Sequence, residues 1–212
     1  MTIGQIVRRI LGKNFQPVGK LYRSIFVDIH KIAAFIGDQI PAGSRCLDIG
    51  GGDGMIVSAM LEQRPDLHVT MTDLAPNIGS FIDPKFLDRV MLHPATTAKS
   101  VAGTGRSFNA ITIADVLHHV PADARSMFWA DLREICRDTG CRTIIVKDVC
   151  PGTLRGFLSL MCDRYITGDR HVTLIRPDDM IADIKHIFQT DAVDISHSEP
   201  DKANYCLVVN LK

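Results

Sequence analysis

Three groups of residues in this sequence have the types and spacing to do chemistry. Asp115, His118 and His119, within "ADVLHHVP", stand at i, i+3 and i+4. On a helical turn that spacing brings all three to nearly one side. An imidazole titrating near neutrality can take a proton from a hydroxyl, so His118 or His119 is a candidate general base. The same trio can also hold a divalent metal, and imidazole with carboxylate suits a transition metal better than Mg²⁺. A plainer reading has one histidine packed against a strand end and the other in solvent. Upstream, "CLDIGGGDGM" (46–55) sets Asp48 before Gly50, Gly51, Gly52 and Gly54. Such a loop admits a ligand close to the backbone, because no side chain blocks the approach. The third group begins at Asp73, which lies 19 residues beyond Gly54 with Leu74 beside it. A carboxylate at the end of the next apolar run can accept both hydroxyls of a ribose.

These groups need strands to hold them. "SRCLDIG" is a short apolar run of the kind that forms a buried parallel strand. "MIVSAMLEQRP" has helical spacing and stops at Pro65. "LHVTMTDL" predicts a second strand, Val90–His93 a third, "FNAITIAD" a fourth and "CRTIIVKDV" a fifth. "ADARSMFWADLREICRDTG" predicts a helix with Met127, Trp129, Leu132 and Ile135 as its apolar stripe and Gly140 as its stop. Residues 95–107 read as a long surface loop. "RPDDMIADIKHIF" predicts a helix with an acidic first turn. The end reads as an antiparallel strand pair around a Pro-containing turn. Strands alternating with helices predict an α/β fold, doubly wound and Rossmann-like. Its seven-stranded sheet is mostly parallel, with a C-terminal antiparallel hairpin and N-terminal helices. Residues 1–40 read as a helical extension or lid, 41–212 as the main domain, and 151–172 as a segment covering the substrate.

Spacing narrows the ligand of the glycine loop. No Lys follows it, which removes the phosphate-gripping P-loop. The dinucleotide fingerprint GxGxxG needs a third glycine where Met55 stands. The pattern found is GxGxG after an acid. With Asp73 and "FNAITIADVLHHVP" in order, it resembles class I S-adenosylmethionine-dependent methyltransferases over about residues 44–150. Within them it is most similar to small-molecule O-methyltransferases. The resemblance implies S-adenosylmethionine as cofactor, held by Asp48, Gly50, Gly51, Gly52, Gly54, Asp73, Leu74 and Asp115. It also implies a histidine near the fourth strand as base. Where such enzymes carry an acid after the third strand, "HPATTAKS" offers Thr96 and Thr97. Those enzymes also carry a long N-terminal dimerisation domain, whereas about 40 residues precede the core here.

In the covering segment, Phe157, Met161 and Tyr165, with the earlier Tyr22, can line an apolar pocket, and Arg164 can meet a polar or anionic group. The 24 basic and 24 acidic residues balance, which argues against general nucleic-acid binding. Basic residues cluster in the N-terminal helices, so weak association with a membrane surface is compatible with them. The six cysteines form no CxxC pairs and read as buried free thiols in a reducing compartment. Neither a signal peptide nor a spanning segment is recognisable, so a cytoplasmic protein is expected. The expected activity is methyl transfer to a small molecule, at a hydroxyl oxygen. Transfer to N or C, a non-catalytic binding protein of the same fold, and a nicotinamide-dependent dehydrogenase are the competing readings.

Overall fold

The computed structural model describes residues 28–162, 164, 171–188, 193–201 and 203–212. Among these, a seven-stranded sheet has the order β3-β2-β1-β4-β5-β7-β6. The strands are β1 (Arg45–Ile49), β2 (His68–Thr72), β3 (Val90–His93), β4 (Ala110–Ala114), β5 (Thr143–Val149), β6 (Val193–Asp201) and β7 (Asn204–Leu211). The first five are parallel; β7 runs antiparallel to both β5 and β6. The strand order reverses between β1 and β4, and their carboxyl ends form a crevice where ligands of open α/β sheets bind.

Alternation along the strands divides the core into two layers. Leu47 and Ile49, Ile111 and Ile113, and Ile144 and Val146 face the layer built with α4 (Ala122–Thr139) and α6 (Pro177–Phe188). Cys46, Ala110 and Ile145 face the layer built with α1 (Ile29–Gln39) and α2 (Met55–Gln63). Ile32, Ala33 and Ile36 of α1 are buried there, so this helix belongs to the core of the domain. The five described cysteine side chains, Cys46, Cys136, Cys141, Cys150 and Cys206, are buried and free.

Helix ends follow their sequence signals. Gly54 precedes α2 with φ +81°, and Gly140 ends α4 with φ +76°, both left-handed positions that favour glycine. In α4, Trp129, Leu132 and Ile135 are buried as expected, but Met127 is 67% exposed. Two residues on a helix are about 200° apart, so Met127 cannot share the face of Trp129. Residues 95–107 are not a bare loop. Thr97 accepts the Ser100 amide (3.2 Å) and starts a short helix, α3 (Ala98–Ala102), whose Val101 and Ala102 join the core. The final turn is also different. Pro200 lies inside the edge strand β6, at a register shift, while Asp201 accepts the amides of Ala203 (2.7 Å) and Asn204 (2.8 Å) to make the turn. Between the main elements, α5 (Leu154–Cys162) follows β5, and one-turn 3₁₀ helices occupy Pro84–Phe86 and Leu117–His119.

The expected basic extension falls largely on residues 1–27, outside the described residues. Among the described residues no helix is long and apolar enough to cross a membrane.

Candidate active site

The glycine loop leaves β1 and folds over the end of β2. The amides of Gly50 and Gly51 donate to the Thr72 carbonyl (2.8 and 3.3 Å). Gly50 and Gly52 have φ +71° and +53°. A Cβ on Gly50 would run into the side chain of Val116, and one on Gly51 into the Asp48 carboxylate and Met71. The bare backbone is therefore required by the loop's own packing.

Two acids brace this loop. Asp48 is 4% exposed and accepts the Thr112 hydroxyl at 2.6 Å. Burial, countered by that hydrogen bond and helped by the nearby Asp73 charge, raises its carboxyl to about 6. Asp73 accepts the amide of Gly52 on one oxygen (2.9 Å) and that of Ala75 on the other (2.8 Å). Each oxygen has a second lone pair, so both can still accept a hydroxyl. Leu74 is 75% exposed beside it. Thr96 donates its amide to the Asp73 carbonyl (3.0 Å), and its carbonyl accepts the Thr72 hydroxyl (2.5 Å). These contacts bring Asp48, Asp73, Thr96 and the glycines into one crevice.

The histidine segment differs from a single helical face. Asp115 is left-handed (φ +58°), a conformation Asp tolerates better than most residues. Its two carboxylate oxygens receive the Lys147 ammonium at 2.6 and 2.7 Å. The chain then makes the 3₁₀ turn, with His118 buried at 3%. The Asp148 carboxylate binds His118 twice, through the backbone amide (3.2 Å) and through the ring Nδ1. Asp148 also accepts the Val149 amide at 2.8 Å. The less buried His119 stacks on His118, with ring centroids 4.2 Å apart. The trio that converges is thus Asp115, His118 and Asp148, with ligand-type atoms within 4.8 Å of one another. His119 is not a member. The Lys147 ammonium already supplies the positive charge to Asp115, which disfavours a metal ion there.

Asp148, Lys147 and Thr112 were missed by sequence reasoning. A signal existed: "IIVKDV" puts Lys and Asp side by side in a strand whose seven residues are all buried. Charged groups are rarely fully buried unless paired.

A cavity of about 570 Å³ opens beyond β5, walled by Leu154, Phe157, Leu160, Arg164, Val172 and Leu174. Phe157 is 54% exposed, and Arg164 donates to the Val172 carbonyl at 3.4 Å. Met161 is half-buried on α5 and is not among the wall residues. Tyr22 and Tyr165 lie outside the described residues. The Thr173 amide donates to the His118 carbonyl at 2.9 Å, tying the cavity wall to the histidine turn. A larger cleft, about 910 Å³, lies between the ends of α4 and α6 near Gly140 and Lys212, away from the carboxyl ends of the strands.

Residues 47–141 match a family model described as a methyltransferase domain. Over that stretch, a little under half of its length, the chain resembles a methyltransferase domain. The fold of the chain is that of the class I S-adenosylmethionine-dependent methyltransferases among the similar solved structures. Among solved structures, a cyclopropane-fatty-acyl-phospholipid synthase-like protein from Lactobacillus casei is similar at 18% identity and TM-score 0.61, over 86% of this chain and 89% of that one. Magnesium protoporphyrin IX methyltransferase from Synechocystis, with bound S-adenosylhomocysteine, is similar at 17% identity and TM-score 0.57, over 98% and 99%. Human N-acetylserotonin methyltransferase, in complex with S-adenosylmethionine, is similar at 13% identity and TM-score 0.60, over 88% of this chain and 50% of that one. No curated protein matches the sequence.

The glycine loop follows the first strand, an acid stands at the second strand end, and no Lys follows the loop to grip a phosphate.

Proposed function

We propose that this chain is a methyltransferase that alkylates a hydroxyl oxygen of a small molecule, with His118 as general base. The observation that carries this reading is the His118–Asp148 pair beside the crevice. S-adenosylmethionine, when bound, supplies an electrophilic methyl group on a sulfonium. Gly50, Gly51, Gly52 and Gly54 offer it bare backbone, Asp73 holds its ribose hydroxyls, and Asp48 and Thr96 keep the loop and the next strand end in place. Asp115 acts from the far wall, anchored by Lys147. With Nδ1 committed to Asp148, the proton from the acceptor goes to Nε2 of His118, and Asp148 steadies the imidazolium that forms. The in-line transfer itself needs alignment more than chemistry from the protein. Residues 151–172, with Phe157 and Arg164 on the cavity wall, would cover the acceptor, together with Met161, Tyr165 and Tyr22.

The exposure of His119 favours a second reading, in which His119 is the base and the buried His118–Asp148 pair is its mount. Turnover of His118→Ala and His119→Ala on a panel of phenols and alcohols separates the two. Loss of about 10²–10⁴ in kcat with unchanged S-adenosylhomocysteine affinity identifies the base. Normal turnover by both variants defeats the base assignment altogether. Binding of S-adenosylhomocysteine without turnover of any acceptor would favour a non-catalytic role.

A further inference from the structure

The cavity beyond β5 bears on which acceptor is used, and the inference rests on the methyl-transfer reading above. Its walls are mostly aliphatic and aromatic: Leu154 and Phe157 of α5, Leu160, and Val172 and Leu174 on the facing segment. Two of these are unusually open to solvent for their size, Leu154 at 75% and Phe157 at 54%. Large apolar side chains lining one concavity are most stable when an apolar body covers them. Arg164 is the one charged side chain among the described residues that line it. Among the described residues its guanidinium makes one long hydrogen bond, 3.4 Å to Val172 O. A guanidinium has five N–H donors in a planar fork, and that fork matches a carboxylate or sulfonate.

The cavity also has a defined relation to the reacting end. Thr173 is part of its wall and donates its amide to the His118 carbonyl. In the same turn, Val116 lies against Gly50 of the glycine loop. A molecule in this cavity therefore lies next to the turn that carries His118, the turn that also reaches the glycine loop.

We infer that the acceptor is an apolar organic anion, its body between α5 and residues 172–174 and its acidic group at Arg164. A volume of about 570 Å³ lies within the range of drug-sized ligand sites. Neutral acceptors of the same shape would bind the walls but lose the charged contact.

The test uses two fluorescent probes of nearly one shape, 8-anilinonaphthalene-1-sulfonate and the uncharged N-phenyl-1-naphthylamine. Both are titrated into the full chain, with S-adenosylhomocysteine binding measured on the same samples. The sulfonate should bind about tenfold more tightly than the neutral probe, as expected for one charge-assisted contact. Arg164→Gln should abolish that preference and leave the neutral probe unchanged. Phe157→Ser should weaken both. A preference that persists in Arg164→Gln, equal binding of the two probes, or indifference to Phe157→Ser would overturn the inference. Failure of S-adenosylhomocysteine to bind the wild-type chain would defeat the methyl-transfer reading instead, whatever the probes do.

Discussion

His118 accepts the backbone amide of Thr173 at 2.9 Å, and two residues before it Val116 covers Gly50. The turn between β4 and α4 thus touches both the glycine loop and the wall of the cavity beyond β5. Its third attachment is the Asp148 carboxylate on β5. Such a turn can present one imidazole in a single orientation, which a general base requires.

Asp148→Asn tests that orientation. The amide keeps the shape but can offer its N–H₂ to His118 Nδ1, which favours the wrong tautomer and removes the charge facing an imidazolium. We expect turnover to fall by about 10²–10⁴ if His118 is the base. S-adenosylhomocysteine affinity by calorimetry should stay the same.

Asp48 predicts an unusual pH response. Its folded-state carboxyl, raised to about 6, exceeds the ordinary value near 3.8. The folded protein therefore binds this proton more tightly than the unfolded chain, and stability falls as pH rises from about 4 to about 6. Two units correspond to about 3 kcal/mol at the upper limit. Thermal melts of the ligand-free protein between pH 4 and pH 7 should show this loss, and Asp48→Asn should flatten it. A wild-type melting temperature that rises steadily over the same window would contradict the assignment.

Gly50→Ala should combine two penalties, a positive φ costing about 1–2 kcal/mol and a collision with Val116. Val116→Ala in the same chain should recover the collision and leave the strain. Denaturant unfolding of the single and double variants reads the two parts separately.

Lys147 is 1% exposed against an Asp115 side chain that is 38% exposed. Lys147→Met strips a partly buried acid of its partner and should cost about 1–3 kcal/mol, less than for a fully buried pair because solvent reaches Asp115. Adding Asp115→Asn should return part of it. Because the ammonium already neutralises Asp115, EDTA should leave turnover unchanged, and Mn²⁺ or Mg²⁺ should not raise it. A strong dependence on added metal would reverse this reading.

Much of the architecture was legible because its signals are local. The apolar runs marked β1 to β5, Gly140 marked the end of α4, and the glycine spacing with Asp73 marked the crevice. The short helix at Ala98–Ala102 escaped because five residues carry too little periodicity; only Thr97 as a cap announced it. The partnership of His118 with Asp148 escaped for another reason. The residues are 30 positions apart, and only the pairing of β4 with β5 brings them together. The i, i+3, i+4 spacing of Asp115, His118 and His119 misled because Asp115 turns left-handed before the 3₁₀ turn begins. Met127 misled because it is apolar yet stands about 200° around the helix from Trp129, on the solvent side.

The residues that match the family model end at 141, and the walls of the cavity beyond β5 begin at Pro151. On the reading proposed above, the grip on the methyl donor and the choice of its recipient fall in consecutive stretches of chain. Exchanging residues 151–174 for another sequence would present a different recipient to the same imidazole. The boundary would fall just after β5, where the transplant inherits Asp148 from its host.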